Sequence, residues 1–156
     1  MNKVCFFVYW ACSLFVLSSC SSNVRYAEAK SVANQQWKQG DKIIFKVPIE
    51  DTSRIYDVIL TVRTTADYPY SNLWMYLTVD GPLGKSQRFP MQIVTADPQG
   101  KWMGDKSGST VAFSKVITHD RFPKKGKYKF IFEQAATEKV LPEVMDLTVE
   151  LYTKKP

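Results

Sequence analysis

Cysteine is the residue type with the most specific chemistry in this chain, because only three of its 156 residues are cysteines. One of them closes the string Leu17-Ser18-Ser19-Cys20, in which a leucine and two small residues come directly before the thiol. This order is typical of a lipobox, where the cysteine thiolate takes a diacylglyceryl group and the freed α-amine is then acylated. We therefore predict that Cys20 is lipidated and becomes the first residue of the mature protein.

The residues before Cys20 fit an export signal. Lys3 gives a short positive start, and residues 4–17 form an almost unbroken apolar run. A membrane-spanning helix needs roughly 20 apolar residues, so this shorter run predicts a signal peptide over residues 1–19 and not a permanent anchor. Acyl chains on Cys20, at ~0.8 kcal/mol per buried CH₂, would then hold the mature protein on a membrane.

Removal of the signal peptide also decides the thiol chemistry. Cys5 and Cys12 leave with it, and Cys20 is consumed by lipid, so the mature chain has no free thiol. We therefore exclude an internal disulfide, a cysteine nucleophile and a metal site with cysteine ligands.

The remaining residues give little support to catalysis. His119 is the single histidine, and no Gly-x-Ser-x-Gly elbow presents a nucleophile to it, so we interpret it as a surface residue. A glycosidase built on Asp67 and Glu133 would need the two carboxylates about 5–5.5 Å apart in a cleft. The loops at 97–100 and 104–108 carry too few carboxylates for Ca²⁺. We predict a non-enzymatic protein with no metal site and no cofactor.

Aromatic side chains form the first candidate interaction surface. Tyr68, Tyr70 and Trp74 are close together in the sequence, and Trp102 lies in a later loop. Exposed rings on a β-sandwich can stack on sugars, whereas buried rings pack the core. We assign Trp74 to the core and leave Tyr68 and Tyr70 open between the two interpretations. A glycan- or peptidoglycan-binding protein that uses Tyr68, Tyr70 and Trp102 is therefore the alternative function.

A basic hairpin tip is the second candidate surface. Lys124 and Lys125 are followed by two further lysines, in a chain whose formal net charge is +6. The tip could meet anionic phospholipid or an acidic partner, and lysines on edge strands also block aggregation. We exclude nucleic acid as a partner, because the chain is expected to be exported and anchored by lipid.

Alternation of apolar and polar residues predicts the elements that position these side chains. Period-two patterns bounded by turn residues predict seven strands, over residues 43–49, 56–62, 73–79, 89–94, 111–118, 128–134 and 145–152. A sheet with one solvent-exposed face and one buried face is typical of antiparallel pairing. Pro90 predicts that its strand lies at an edge or contains a bulge. In the last strand, we expect Met145 and Leu147 to face inward and Asp146 outward.

The fold class that follows is all-β. We predict a single antiparallel β-sandwich of about seven strands over residues 37–156. Residues 20–36 are polar and short of apolar periodicity, so we assign them to the acylated cysteine and a flexible tether.

Several uncommon strings add a family resemblance. They occur in a fixed order at residues 49–52 (IEDT), 67–74 (DYPYSNLW), 96–104 (ADPQGKWMG), 121–130, 133–135 and 141–146. Together with the lipobox they resemble the gliding-motility lipoprotein H family of Bacteroidota, over about residues 20–150.

The resemblance implies an outer-membrane lipoprotein accessory to the gliding apparatus and its associated type IX secretion machinery. It implies protein partners in that machinery but offers no catalytic residue and no established ligand. Surface-exported lipoproteins of this phylum tend to carry acidic residues after the lipidated cysteine, and residues 21–25 contain none. We therefore expect the protein to face the periplasm and to act as a scaffold or interaction subunit.

Overall fold

The computed structural model describes residues 23–153, and the signal peptide and Cys20 lie outside this range. Eleven strands and one short 3-10 turn (Ala33–Gln35) make up the regular structure of the described residues. The strands are β1 (Val24–Ser31), β2 (Gln36–Lys38), β3 (Ile43–Ile49), β4 (Tyr56–Thr65), β5 (Asn72–Asp80), β6 (Ser86–Val94), β7 (Asp105–Ser107), β8 (Thr110–Asp120), β9 (Gly126–Gln134), β10 (Val140–Pro142) and β11 (Val144–Thr153).

The strands form two main sheets in which all neighbours are antiparallel. The larger sheet has the order β1-β11-β4-β8-β7, and the smaller one has the order β3-β9-β5-β6. Strands β2 and β10 pair separately as a short ribbon. This arrangement confirms the predicted all-β, antiparallel fold.

A single hydrophobic core lies between the two sheets. Alternate residues of each long strand point into it, as in β4, where Val58, Leu60 and Val62 are fully buried. From the smaller sheet, Phe45 and Phe132 meet edge to face with ring centroids 5.9 Å apart. Such period-two burial on both inner faces is the packing of a sandwich.

The seven predicted strands are all present, with ends that shift by a few residues. Pro90 lies in β6, which is the outer strand of the smaller sheet, so its predicted edge position is confirmed. An edge is where a proline, which has no N–H to donate, leaves no ladder hydrogen bond unmade.

One prediction about the last strand is wrong. A bulge between Val144 and Asp146 shifts the register of β11 against β4, so Val144, the partner of the buried Thr64, takes the inward position that was predicted for Met145, which is only half-buried. Arg63 is the register partner of Asp146 and donates to both of its carboxylate oxygens, with Nε at 2.9 Å and 3.0 Å. Arg63 alternates with the buried Val62 and Thr64, so Asp146 lies on the outer face as predicted, and this ion pair is what allows its carboxylate to be buried there.

The predicted tether is wrong for residues 24–36, which belong to the folded domain. Strand β1 pairs with β11 from Val24 to Ser31, and the Val32 N–H continues with a 2.8 Å hydrogen bond to the Met145 carbonyl. Residues in β1 alternate between exposed and half-buried, so the strand is held by main-chain bonds at a sheet edge. Apolar periodicity detects such a strand poorly because it buries little apolar surface.

Candidate functional site

The sandwich is open along one side, between β6 and β8. Strand β6 is the last strand of its sheet, and the short β7 covers β8 only at Thr110–Ala112. The remainder of the outer edge of β8 has no paired strand in residues 23–153. A groove of about 730 Å³ lies between these two edges.

The floor of the groove is the hydrophobic core itself. Leu77, Tyr128 and Phe130 form part of its lining and are buried, and Phe122 packs on Tyr128 with ring centroids 4.7 Å apart. Exposed apolar side chains form the rim, namely Leu83, Phe89 and Val116. The groove therefore offers continuous apolar surface from the core to the solvent.

A bulge in β8 helps to keep this side open. Val58 pairs with Thr118 and the next residue, Ile59, pairs with Val116, so Ile117 is an extra residue without a cross-strand partner. A bulge bends its strand and disrupts the outer edge for further pairing. The local sequence, with Val116 and Ile117 consecutive and apolar, fits a strand that has lost strict alternation here.

The groove carries positive charge. Lys115 is the register partner of the buried Leu60 and so lies on the inner face of its sheet, from which Nζ donates a 2.8 Å hydrogen bond to the Gln92 carbonyl of β6. Lys85 also lines the groove, and none of the aspartates and glutamates among residues 23–153 does so. Lys124 and Lys125 directly follow Pro123, another lining residue, so the predicted basic tip lies beside the groove.

A second exposed feature lies on the outer face of the smaller sheet. Trp74 is 42% exposed and Tyr76 is 37% exposed, two residues apart on β5. The Arg88 guanidinium lies 4.1 Å from the centre of the Tyr76 ring and 2.9 Å from a Glu133 carboxylate oxygen. We call Trp74, Tyr76 and Arg88 the aromatic face. The assignment of Trp74 to the core is therefore wrong, because Leu73 and Met75 on either side of it take the inward positions.

The predicted aromatic surface does not form as a whole. Tyr68 is only 3% exposed, and its hydroxyl donates to the Asn72 carbonyl at 3.0 Å, while burial raises its pKa. Tyr70 packs edge to face on Tyr68, and Trp102 packs on Phe113, so both are half-buried. Tyr68 thus belongs to the core and cannot present its ring to a sugar.

The residues considered for catalysis are engaged elsewhere. Glu133 forms ion pairs with Lys42 and Arg88, at 3.2 Å and 2.9 Å, so its carboxylate is neutralised by cations and not coupled to Asp67. His119 is a surface residue at the end of β8, where Nδ1 contacts the Asp57 carboxylate. Among residues 23–153, no three histidine, cysteine or acidic side chains are grouped as a metal site.

The residues of the groove and of the aromatic face were mostly missed by sequence reasoning. The available signal was in β5, where Leu73, Met75 and Leu77 alternate with Trp74 and Tyr76, but both sets are apolar and the inward set is not marked. The groove depends on which strands end up at edges, which only the sheet order determines.

Two antiparallel sheets around one core, with an apolar groove and an aromatic face as exposed features, define a β-sandwich domain. A family model, described as GldH lipoprotein, matches residues 24–151. The chain belongs to this family, which confirms the resemblance. The match begins at the first residue of β1, in agreement with a folded domain that includes this strand.

Two curated relatives are similar over most of their length. A gliding motility lipoprotein GldH homolog of Christiangramia forsetii is 29% identical over 125 residues, which cover 79% of this chain and 75% of the relative. The gliding motility lipoprotein GldH of Flavobacterium johnsoniae is 28% identical over 123 residues, which cover 79% of this chain and 76% of the relative. Both relatives are named as lipoproteins and not as enzymes. Within residues 23–153, no helix is long and apolar enough to cross a membrane.

Proposed function

We propose that this protein is a non-catalytic envelope lipoprotein, anchored through acyl chains on Cys20, which acts as an interaction subunit of the gliding and type IX secretion machinery. The lipobox supports the anchor. Membership of the GldH lipoprotein family, with two relatives named for gliding motility, supports the system. Residues 21–25 carry no acidic side chain, which supports retention at the outer membrane on its periplasmic side.

The observation that carries the interaction role is the aromatic face. Tryptophan, tyrosine and arginine are the residue types most enriched among the energetically dominant residues of protein interfaces. Trp74, Tyr76 and Arg88 are adjacent on neighbouring strands, and pairing with Glu133 holds the Arg88 side chain against the Tyr76 ring. A preordered planar surface of this kind loses little side-chain entropy when a partner covers it.

The test is co-purification of partners with the full-length, lipidated protein. A tagged wild-type chain purified from cross-linked outer membranes should recover gliding or secretion components, and Trp74→Ala and Arg88→Ala should each lower their recovery about tenfold or more. Ile55→Ala is the matched control, because Ile55 is as exposed as Tyr76, at 37%, but lies outside the aromatic face. Equal recovery of partners with the wild type and all variants would show that the aromatic face does not bind them. If the wild-type protein recovers no gliding or secretion component, the interaction role is contradicted.

The anchor and its orientation are tested separately. Cys20→Ala should abolish incorporation of labelled palmitate and remove the protein from the outer-membrane fraction. An epitope at the C-terminus should resist protease in intact cells and be digested once the outer membrane is permeabilised. Digestion in intact cells would place the domain on the cell surface instead.

A further inference from the structure

We propose that the groove between β6 and β8 binds the acyl chain of an anionic membrane lipid, with the lipid phosphate held by Lys115. The groove shares Trp74 with the aromatic face but neither Tyr76 nor Arg88, and the inference stands without any particular protein partner. It rests on the shape of the groove, its charge and the state of the two strand edges that border it.

The size and lining suit a long apolar ligand. A volume of about 730 Å³ lies within the usual range for small-molecule sites, roughly 300–1,000 Å³. The groove reaches the core at Leu77 and Phe130 and extends outward to Phe89 and Val116, which remain exposed although apolar. A ligand that covers these side chains would gain free energy in proportion to the apolar surface that it removes from water.

The charge selects an anionic head group. Within the described part of the chain, lysine is the only charged residue type in the lining, at positions 85 and 115. Lys124 and Lys125 follow immediately after Pro123. With no carboxylate in the lining, an anion meets attraction and no repulsion there. The Lys115 ammonium lies between the two strand edges, so it can exchange its bond to the Gln92 carbonyl for a stronger charge-assisted bond to phosphate.

The strand edges argue for a lipid over an extended peptide. A peptide that adds to a sheet edge depends on main-chain hydrogen bonds to that edge. In β6, Pro90 has no N–H to donate, and the Gln92 carbonyl already accepts from Lys115. In β8, the bulge at Ile117 breaks the regular ladder. The apolar side chains of the groove can contact a ligand, whereas the main chain at these edges offers few groups for hydrogen bonds to a peptide. This favours an acyl chain as the ligand.

The experiment uses the full-length lipidated protein reconstituted in phosphatidylcholine vesicles that contain a photoactivatable phosphatidylglycerol with the reactive group on its acyl chain. After irradiation, mass spectrometry of peptides should place the label mainly on β6 and β8. Vesicles in which the photoactivatable lipid is phosphatidylcholine should give roughly tenfold less label at these peptides, because the zwitterionic head group gains less from the lysines.

Two variants separate the apolar and the charged contributions. Val116→Glu should lower the labelling about tenfold with both lipids, because it places a carboxylate beside the acyl chain. Val94→Glu is the matched control, since Val94 is 52% exposed against 53% for Val116 and does not line the groove. Lys115→Met should keep the labelling by phosphatidylcholine but remove the preference for phosphatidylglycerol. All three positions are exposed, so thermal melts of the variants should match that of the wild type.

Three results would overturn the proposal. Label spread evenly over β1, β3, β6 and β8 would show that the groove takes no lipid. Equal labelling of the wild-type protein by the two lipids would show that the groove does not select an anionic head group. Label that is absent from β6 and β8 in both kinds of vesicle would leave the groove without a lipid.

Discussion

The ammonium of Lys115 and the main-chain carbonyl of Gln92 are 2.8 Å apart, and this hydrogen bond joins the open edges of the two sheets. Lys115 belongs to the larger sheet and Gln92 to the smaller one. A lysine that points inward at an open edge is a device by which natural sheets prevent pairing with another copy. The same side chain thus protects the groove and gives it a positive charge.

Replacement of Lys115 by methionine should increase self-association. The substitution keeps the length of the side chain but removes the charge that disfavours a second apolar edge. Sedimentation velocity over a range of protein concentrations should show a larger weight-average sedimentation coefficient than for wild type. Lys125→Met, at an exposed position in the basic tip, is the control for the loss of one positive charge. Identical profiles for wild type and Lys115→Met would contradict the protective role.

Replacement of Arg63 by methionine should destabilise the fold. Asp146 has a buried side chain and accepts both Nε and Nη2 of Arg63, so the substitution leaves its carboxylate without this partner. The expected loss is about 1–3 kcal/mol in the free energy of unfolding, the cost of an unsatisfied buried polar group. Urea denaturation measures it as a lower midpoint at an unchanged slope.

Arg54→Met provides the comparison for that measurement. Arg54 pairs with Asp51 at 2.9 Å, but both side chains are about two-fifths exposed. Exposed ion pairs contribute about 0–1 kcal/mol, so the midpoint should change little. A similar change for the two arginine variants would mean that burial of Asp146 adds nothing to the strength of its pair.

The long central strands were predictable from the sequence because burial on one face imposes strict alternation. In β4 and β9 every second residue is buried, so the pattern in the sequence and the pattern in the structure coincide. Pro90 was informative for a separate reason, since the missing N–H restricts it to an edge. These predictions depend only on the chemistry of one strand at a time.

Features that depend on two or more strands were not predictable in the same way. Strand β1 is stabilised by its pairing with β11, a contact between residues more than 100 positions apart, and its own side chains are only half-buried. The inward position of Val144 in place of Met145 follows from a bulge in β11. The groove exists because the last strand of the smaller sheet, β6, and the part of β8 that β7 leaves unpaired lie on the same side, which no local pattern encodes.

Tyr68 is buried and Trp74 is exposed, which shows that residue type alone does not determine burial without the register of the strand. The larger ring lies outside because Leu73 and Met75 take the inward positions of β5. The smaller ring lies inside because its hydroxyl reaches the Asn72 carbonyl, which satisfies the polar atom within the fold. A candidate binding residue can therefore be assigned only after the strand that carries it has a register.

Substitutions of Tyr68 should affect stability and not ligand contact. Tyr68→Phe removes one hydrogen bond to the Asn72 carbonyl and should cost about 1 kcal/mol in the free energy of unfolding. Tyr68→Ala also removes a buried ring and should cost about 3–5 kcal/mol. Tyr76→Ala, at an exposed position, should change it by about 0.5 kcal/mol or less. Thermal melts measure all three, and a neutral Tyr68→Ala would contradict the core assignment.

The contribution of Asp51, in the loop before β4, to the stability of the fold should decrease in acid. Its carboxylate accepts hydrogen bonds from the Ser53 hydroxyl at 2.7 Å and N–H at 2.9 Å, and from Arg54 Nε at 2.9 Å, which lowers the pKa of Asp51 from 3.8 to about 2. A carboxyl group with a lowered pKa in the folded state stabilises the fold above its ordinary pKa, and this contribution is lost as the pH falls towards the folded value. The difference in melting temperature between wild type and Asp51→Ala should therefore be constant from neutral pH to about pH 5 and narrow between about pH 4 and pH 2.

Asp51→Asn separates the charge of this residue from its shape. The amide oxygen of Asn can still accept the Ser53 N–H, but this side chain does not titrate. The difference in melting temperature between Asp51→Asn and Asp51→Ala should therefore stay constant over the same pH range. If the wild-type difference stays constant down to pH 2, the hydrogen bonds from Ser53 and Arg54 do not favour the ionised carboxylate. If both differences narrow together, the acid response comes from other groups and the ionisation of Asp51 does not contribute to it.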